Sequence, residues 1–155
     1  RTGLVSLSQG TYGSTSVAAL AVAAHEIGHV MQHQEGYIPI KIRNAILPAA
    51  SIGSTAAPYI VILGAIMGSY NLAMIGVYLF LAMLIFQIVT LPVELNASGR
   101  GLEMLESGGY ISYDQRGDAK AVLKAAAMTY IVAALSTLVS FLRLLMIANN
   151  SRRRN

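Results

Sequence analysis

Between Ile46 and Pro92 the chain runs for 47 residues without one charged side chain. A membrane crossing needs about 20 apolar residues, so this run is most economically two crossings, 46–68 and 72–92, turning at "GSYN" (68–71). A third apolar run from about Ala125 to Ile147 gives a further span over 119–148, entered through "SYDQ" (112–115), where Ser112 and Gln115 have capping-box spacing. Composition agrees. The 155 residues are 55% hydrophobic and 12% charged, against about 25% charged in ordinary soluble domains, and mean hydropathy is +0.58. The expected fold is all-α, an integral membrane helical bundle forming a single domain over 1–155, with one short N-terminal strand at 4–8, where "LVSLS" alternates before Gly10 and Gly13.

The net charge of +4 owes three positive charges to the terminal "RRRN". That suits a juxtamembrane anchor, and no basic helix with interleaved aromatics suggests nucleic acid as a partner. The start lacks the pattern of a signal peptide, so the chain reads as a fragment. There is no cysteine. Any metal must therefore be held by histidine or carboxylate. Gly64 with Gly68, and Thr129, Ser136, Ser140 and Arg143 on one face of the third span, read as helix-contact features. Between the second and third spans, 94–124 is polar and reads as helix to about Ser107, stopped by Gly108 and Gly109.

The chemistry concentrates in a helix expected over 14–36, capped by Ser14 or Thr15 and ended by Gly36. Its first half, "SVAALAVAA", is apolar all round and should be enclosed on most sides. It then carries "HEIGH". His25 and His29, four residues apart, sit about 6 Å apart along the axis on one face, and two imidazoles so placed can converge on one zinc ion. Glu26 flanks them, where its carboxylate can take a proton from water activated by the metal. In an otherwise apolar helix these polar groups cost stability unless something such as a metal satisfies them. His33 lies about 12 Å along the axis from His25, so it and Gln32 are expected behind the ligands or in solvent.

A catalytic zinc needs a third protein ligand and one open position. Two crossings separate His29 from Glu94, an even number, so both emerge on the same side of the membrane. Gln87, Thr90, Glu94 and Ser98 also recur on one face, which should face protein rather than lipid. Glu94 ranks first, with Glu103, Glu106 and Asp114 as other carboxylates on that side.

Three segments, "SVAALAVAAHEIGHVMQH", "LPVELNASGRGLEML" and "AVLKAAAMTYIVAAL", resemble those of the YugP-type neutral zinc metallopeptidases, which are bacterial membrane proteins. "RTGLVSLSQGTY" resembles the stretch before the metal helix, which implies an upstream part with one more transmembrane helix. The resemblance implies one zinc per chain, and an E-x-x-A element over Glu94 to Ala97 that makes Glu94 the third ligand. HtpX-type and CAAX prenyl proteases carry Asp where this chain has Ser98, so Ser98 or Asn96 would orient a ligand imidazole by a neutral hydrogen bond.

The expected activity is zinc-dependent hydrolysis of peptide bonds, of gluzincin type, in peptide or membrane-protein substrates. The alternative is a non-catalytic membrane protein of the same fold that binds a metal or a peptide. Tyr110, Tyr113 and Arg100 are candidates for stabilising the oxyanion, and the strand at 4–8 for holding an extended peptide. Lys41, Arg43, Arg100, Arg116, Lys120 and Lys124 flank the spans on the catalytic side, against Arg152, Arg153 and Arg154 on the other. The balance predicts a cytoplasmic active site in a bacterial cell membrane.

Overall fold

The computed structural model describes residues 5–152, and it is all-α. Among the described residues five helices follow one another: α1 (Gln9–Tyr12), α2 (Val17–Gln34), α3 (Ile38–Ile66), α4 (Tyr70–Ser107) and α5 (Gln115–Arg152). Their contacts divide the chain into two compact units, Arg1–Ile40 with Leu91–Tyr130, and Lys41–Thr90 with Ile131–Asn155. Arg153 and Arg154 of the basic tail lie outside the described residues.

No strand forms among the described residues: Val5 to Ser8 are irregular, and Leu4 lies outside them. The alternation in "LVSLS" finds no partner strand, without which an extended segment gains little. Ser8 instead caps α1, accepting from the Thr11 amide at 3.3 Å, and Gly10 belongs to that helical turn.

The long helices are each extended and apolar enough to cross a membrane. α3 begins at Ile38, earlier than its uncharged stretch, because Pro39 falls in the first turn, where its missing N–H is not needed. At 38 residues, α4 is roughly 57 Å long, against about 30 Å of hydrocarbon. The polar segment after Pro92 is a direct continuation of the apolar one. α5 starts at Gln115, whose side-chain oxygen accepts from the Ser112 amide at 3.0 Å, one half of the expected capping box.

In the unit of Lys41–Thr90 with Ile131–Asn155, Ala57, Val61, Ala73, Val77, Phe80, Leu144 and Ala148 form the buried core. Tyr59, Tyr78, Val132, Leu135 and Val139 point outward and stay exposed. An outer surface this apolar suits lipid. Gly64 does pack closely, since a Cβ there would meet the Ala73 amide nitrogen at 2.4 Å. Gly68 follows the end of α3 with φ 66°. Thr129, Ser136 and Arg143 are exposed and Ser140 is half-buried, and the Thr129 and Ser140 hydroxyls donate to the carbonyls of Ala126 and Ser136 in their own helix.

In the other unit, Ala21, Ala24, Leu105, Ile111, Ala119 and Leu123 form the core. α2 is capped by Ser16, whose hydroxyl accepts from the Ala19 amide at 3.2 Å, while Ser14 steadies the cap by bonding both its amide and its hydroxyl. The cap thus falls just beyond Ser14 and Thr15. α2 is not enclosed on most sides: Val22 and Ile27 are exposed, and burial is confined to Ala19, Ala21, Ala24, Gly28 and Gln32. Its small residues serve close helix packing rather than immersion. Its end is a Schellman motif, in which Tyr37 and Gly36 amides donate to the Gln32 and His33 carbonyls and Gly36 adopts φ 70°. An L side chain in that conformation costs about 1–2 kcal/mol. Gly36→Ala is therefore expected to lower the thermal unfolding midpoint in detergent, and an unchanged midpoint would contradict this reading of the helix end.

Candidate metal centre

α2 and α4 approach each other closely because no side chain stands between them at two points. A Cβ on Gly28 would lie 2.3 Å from the Ala97 carbonyl oxygen, and one on Gly101 would lie 2.7 Å from the Ala24 carbonyl carbon and oxygen. The two contacts are reciprocal, each helix contributing one glycine and one alanine. Flanked by them, the histidines of α2 face the carboxylate of α4.

His25 Nε2 lies 3.1 Å and His29 Nε2 3.5 Å from the same oxygen, Glu94 Oε2. Ligand atoms around a tetrahedral zinc at about 2.0–2.2 Å stand roughly 3.4 Å apart. His25, His29 and Glu94 also form the one His/carboxylate group of three among the described residues whose donor atoms all lie within 4.8 Å of one another. The imidazole rings meet edge to face, with centroids 4.7 Å apart. Glu94 is only 3% exposed, and a buried carboxylate needs a positive partner.

The outer ring nitrogens are engaged. His25 Nδ1 is 3.0 Å from Ser98 Oγ, and His29 Nδ1 is 3.0 Å from Gln32 Oε1. Both Nε2 atoms are thereby left facing the carboxylate. The hydrogen bond to Glu94 holds His29 above the ordinary histidine pKa, with burial opposing it and Gln32 reinforcing it. The pocket therefore favours positive charge beside the imidazole nitrogen, which a proton or a metal cation can supply. This donor set fits zinc.

Of the remaining expected residues, Glu26 is exposed and lines a cleft of about 200 Å3 with His25, Glu94 and Ser98. Asn96 reaches the site through Gln32: its Oδ1 accepts from Gln32 Nε2 at 3.0 Å and from Arg100 Nε at 2.8 Å. His33 is exposed and outside the three-residue cluster. Glu103, Glu106 and Asp114 are exposed and outside it too, with Glu106 paired to Arg116. Tyr110 and Tyr113 do not line the cleft, and Arg100 is bound to Asn96 and Glu35.

Tyr130 was not singled out for a part in the site, whereas Gln32, expected behind the ligands or in solvent, is buried behind His29. Tyr130 lines the cleft together with Val22, Val122, Leu123, Ala126 and Ala127. It follows the buried residues Ala119, Leu123 and Ala127 at helical steps, a stripe readable in the sequence. Gln32 continues the buried stripe of Ala21, Ala24 and Gly28, and a lone amide at such a position signals a specific partner.

Residues 1–149 match the family described as "Putative neutral zinc metallopeptidase". The chain is also 42% identical over 152 residues to a protein of Bacillus subtilis (strain 168) described as "Putative membrane protease YugP", an alignment covering 98% of this chain and 68% of that relative. No solved structure matches.

Proposed function

Because this chain belongs to the neutral zinc metallopeptidase family, we propose that it is a membrane-embedded, zinc-dependent peptidase of gluzincin type that hydrolyses peptide bonds with an activated water. The observation that carries this reading is the convergence of His25 Nε2, His29 Nε2 and Glu94 Oε2, while Ser98 and Gln32 occupy the outer ring nitrogens. Those three residues would hold one zinc ion. Zinc, when bound, supplies a Lewis acid that polarises a carbonyl and lowers the pKa of water to about 7.

The protein's own groups do the rest. Glu26 lines the same cleft without belonging to the ligand cluster, so its carboxylate is free of coordination and can accept the proton of the attacking water. It then returns that proton to the departing amine, one residue serving as base and then as acid. Val122, Leu123, Ala126 and Ala127 make the cleft wall apolar, which limits water around the reacting carbonyl. The substrate is a peptide or a membrane protein. We assign the site to the cytoplasmic face of a bacterial cell membrane, on the strength of Lys41, Arg43, Arg100, Arg116, Lys120 and Lys124 beside the span ends.

Metal content tests the reading. Protein purified in detergent with added zinc should hold about one ion per chain, and His25→Ala or Glu94→Ala should leave less than about a tenth of that. Wild-type protein that retains no zinc would overturn the proposal. Zinc retained fully by both variants would remove these residues from the ligand set.

A further inference from the structure

Resting on the reading of His25, His29 and Glu94 as a zinc site, we propose that Gln32 is a positioning residue that fixes the tautomer of His29, itself held by Asn96 and Arg100. The inference follows from which groups can donate and which can only accept. Gln32 is fully buried, and its amide has two possible orientations. The Val93 carbonyl, 2.8 Å away, can only accept, so Gln32 Nε2 must face it. That turns Oε1 towards His29 Nδ1 at 3.0 Å. An amide oxygen cannot donate, so Nδ1 must carry the hydrogen. In the neutral ring the lone pair is then on Nε2, on the side of Glu94.

A second anchor fixes the same orientation independently. Arg100 can only donate, and its Nε lies 2.8 Å from Asn96 Oδ1. The Asn96 oxygen is thereby turned inward, where it accepts from Gln32 Nε2 at 3.0 Å. Arg100 is held in turn by Glu35, at 2.6 Å from Oε2, and lies over the Tyr37 ring at 5.9 Å. The chain of contacts runs from an ion pair between half-buried Arg100 and exposed Glu35 to a ligand imidazole through two amides, with no carboxylate among the described residues hydrogen-bonded to that imidazole's outer nitrogen. His25 is treated differently. Its Nδ1 meets the Ser98 hydroxyl at 3.0 Å, and a hydroxyl can donate or accept, so Ser98 does not dictate a tautomer.

The test compares zinc affinity, by competition with a fluorescent chelator in detergent, for wild type, Gln32→Met, Asn96→Leu and Asn96→Asp. Gln32→Met keeps bulk and removes the amide; it should weaken zinc binding by about 10–100-fold. Asn96→Leu should weaken it by about tenfold, and Asn96→Asp, which still accepts from both neighbours, should stay within about threefold of wild type. NMR of nitrogen-15-labelled histidine in zinc-free protein provides a readout that general loosening would not mimic. Neutral His29 should be the Nδ1–H form in wild type and lose that preference in Gln32→Met. Wild-type affinity together with an unchanged tautomer in Gln32→Met would overturn the proposal. If that variant fails to fold, the Asn96 pair decides: equal affinity for Leu and Asp would overturn it. Wild-type protein binding no zinc would instead bring down the metal site itself.

Discussion

Glu26→Gln is expected to lower kcat for peptide cleavage by about 10²–10⁴-fold, the usual contribution of a positioned general base, while zinc content stays at the wild-type level. The separation of the two effects follows from where the side chains lie. Glu26 adjoins His25 in sequence, yet it is exposed and outside the three-residue donor cluster. The amide has nearly the same shape as the carboxylate and leaves the imidazoles untouched. What it cannot do is accept a proton. Glu94→Gln should behave oppositely, because Glu94 Oε2 is the atom towards which both imidazoles turn. Metal analysis and peptide kinetics on the same preparations separate the cases. Activity retained by Glu26→Gln at full zinc occupancy would remove Glu26 from the chemistry.

Gly28→Ala is expected to destabilise the unit that carries the candidate metal centre and to weaken zinc binding by at least about tenfold. Two effects compete at this position. Alanine is the better helix former by about 0.8–1.0 kcal/mol, which favours the variant. Against it, the new methyl would lie 2.3 Å from the Ala97 carbonyl oxygen and 2.9 Å from its carbon. Both atoms are backbone, so no rotamer change relieves the overlap and the helices must separate. Overpacking of this kind costs about 1–3 kcal/mol even where side chains can yield, so the clash should win. Separation also draws His29 away from Glu94. Gly99→Ala is the control, because nothing lies within 4 Å of a Cβ there; its helix should gain stability. Thermal unfolding followed by circular dichroism, with zinc affinity measured in parallel, reads both. A Gly28→Ala variant as stable as Gly99→Ala, with wild-type affinity, would mean that this helix contact does not set the donor spacing.

How much of this could be read from the sequence depended on whether the signal was periodic or pairwise. The uncharged run from Ile46 to Pro92 and the apolar run after Ala125 gave helices of spanning length, because hydrophobic burial acts on whole segments. The spacing of His25 and His29 fixed their common face; counting crossings put Glu94 on their side of the membrane, and the polar face it shares with Gln87, Thr90 and Ser98 ranked it above Glu103, Glu106 and Asp114. Ends were harder. Ser16, rather than Ser14 or Thr15, caps α2, because three adjacent hydroxyl residues offer nearly equal local choices and their own hydrogen bonds decide among them. "LVSLS" failed as a strand for want of a partner. For Gln32 the choice between a place behind the ligands and solvent, and for Tyr130 any part in the site, depend on what another helix presents, Val93 and Asn96 from α4 in the one case and the cleft in the other. Tyr110 and Tyr113 were chosen for residue type alone, and both are exposed.

Ser98 and Gln32 have one more property in common: both are electrically neutral. A divalent ion held there by two neutral imidazoles and one carboxylate would keep a formal charge of about +1, and neither outer partner would cancel any of it from behind. The surplus would face the cleft, where among the described residues Glu26 is the one further charged side chain and the walls of Val122, Leu123, Ala126 and Ala127 screen a charge poorly. A centre balanced in this way should attract the developing negative charge of a reacting carbonyl. It should also hold small anionic ligands, such as a phosphonate, more firmly than a centre whose imidazoles were backed by aspartates.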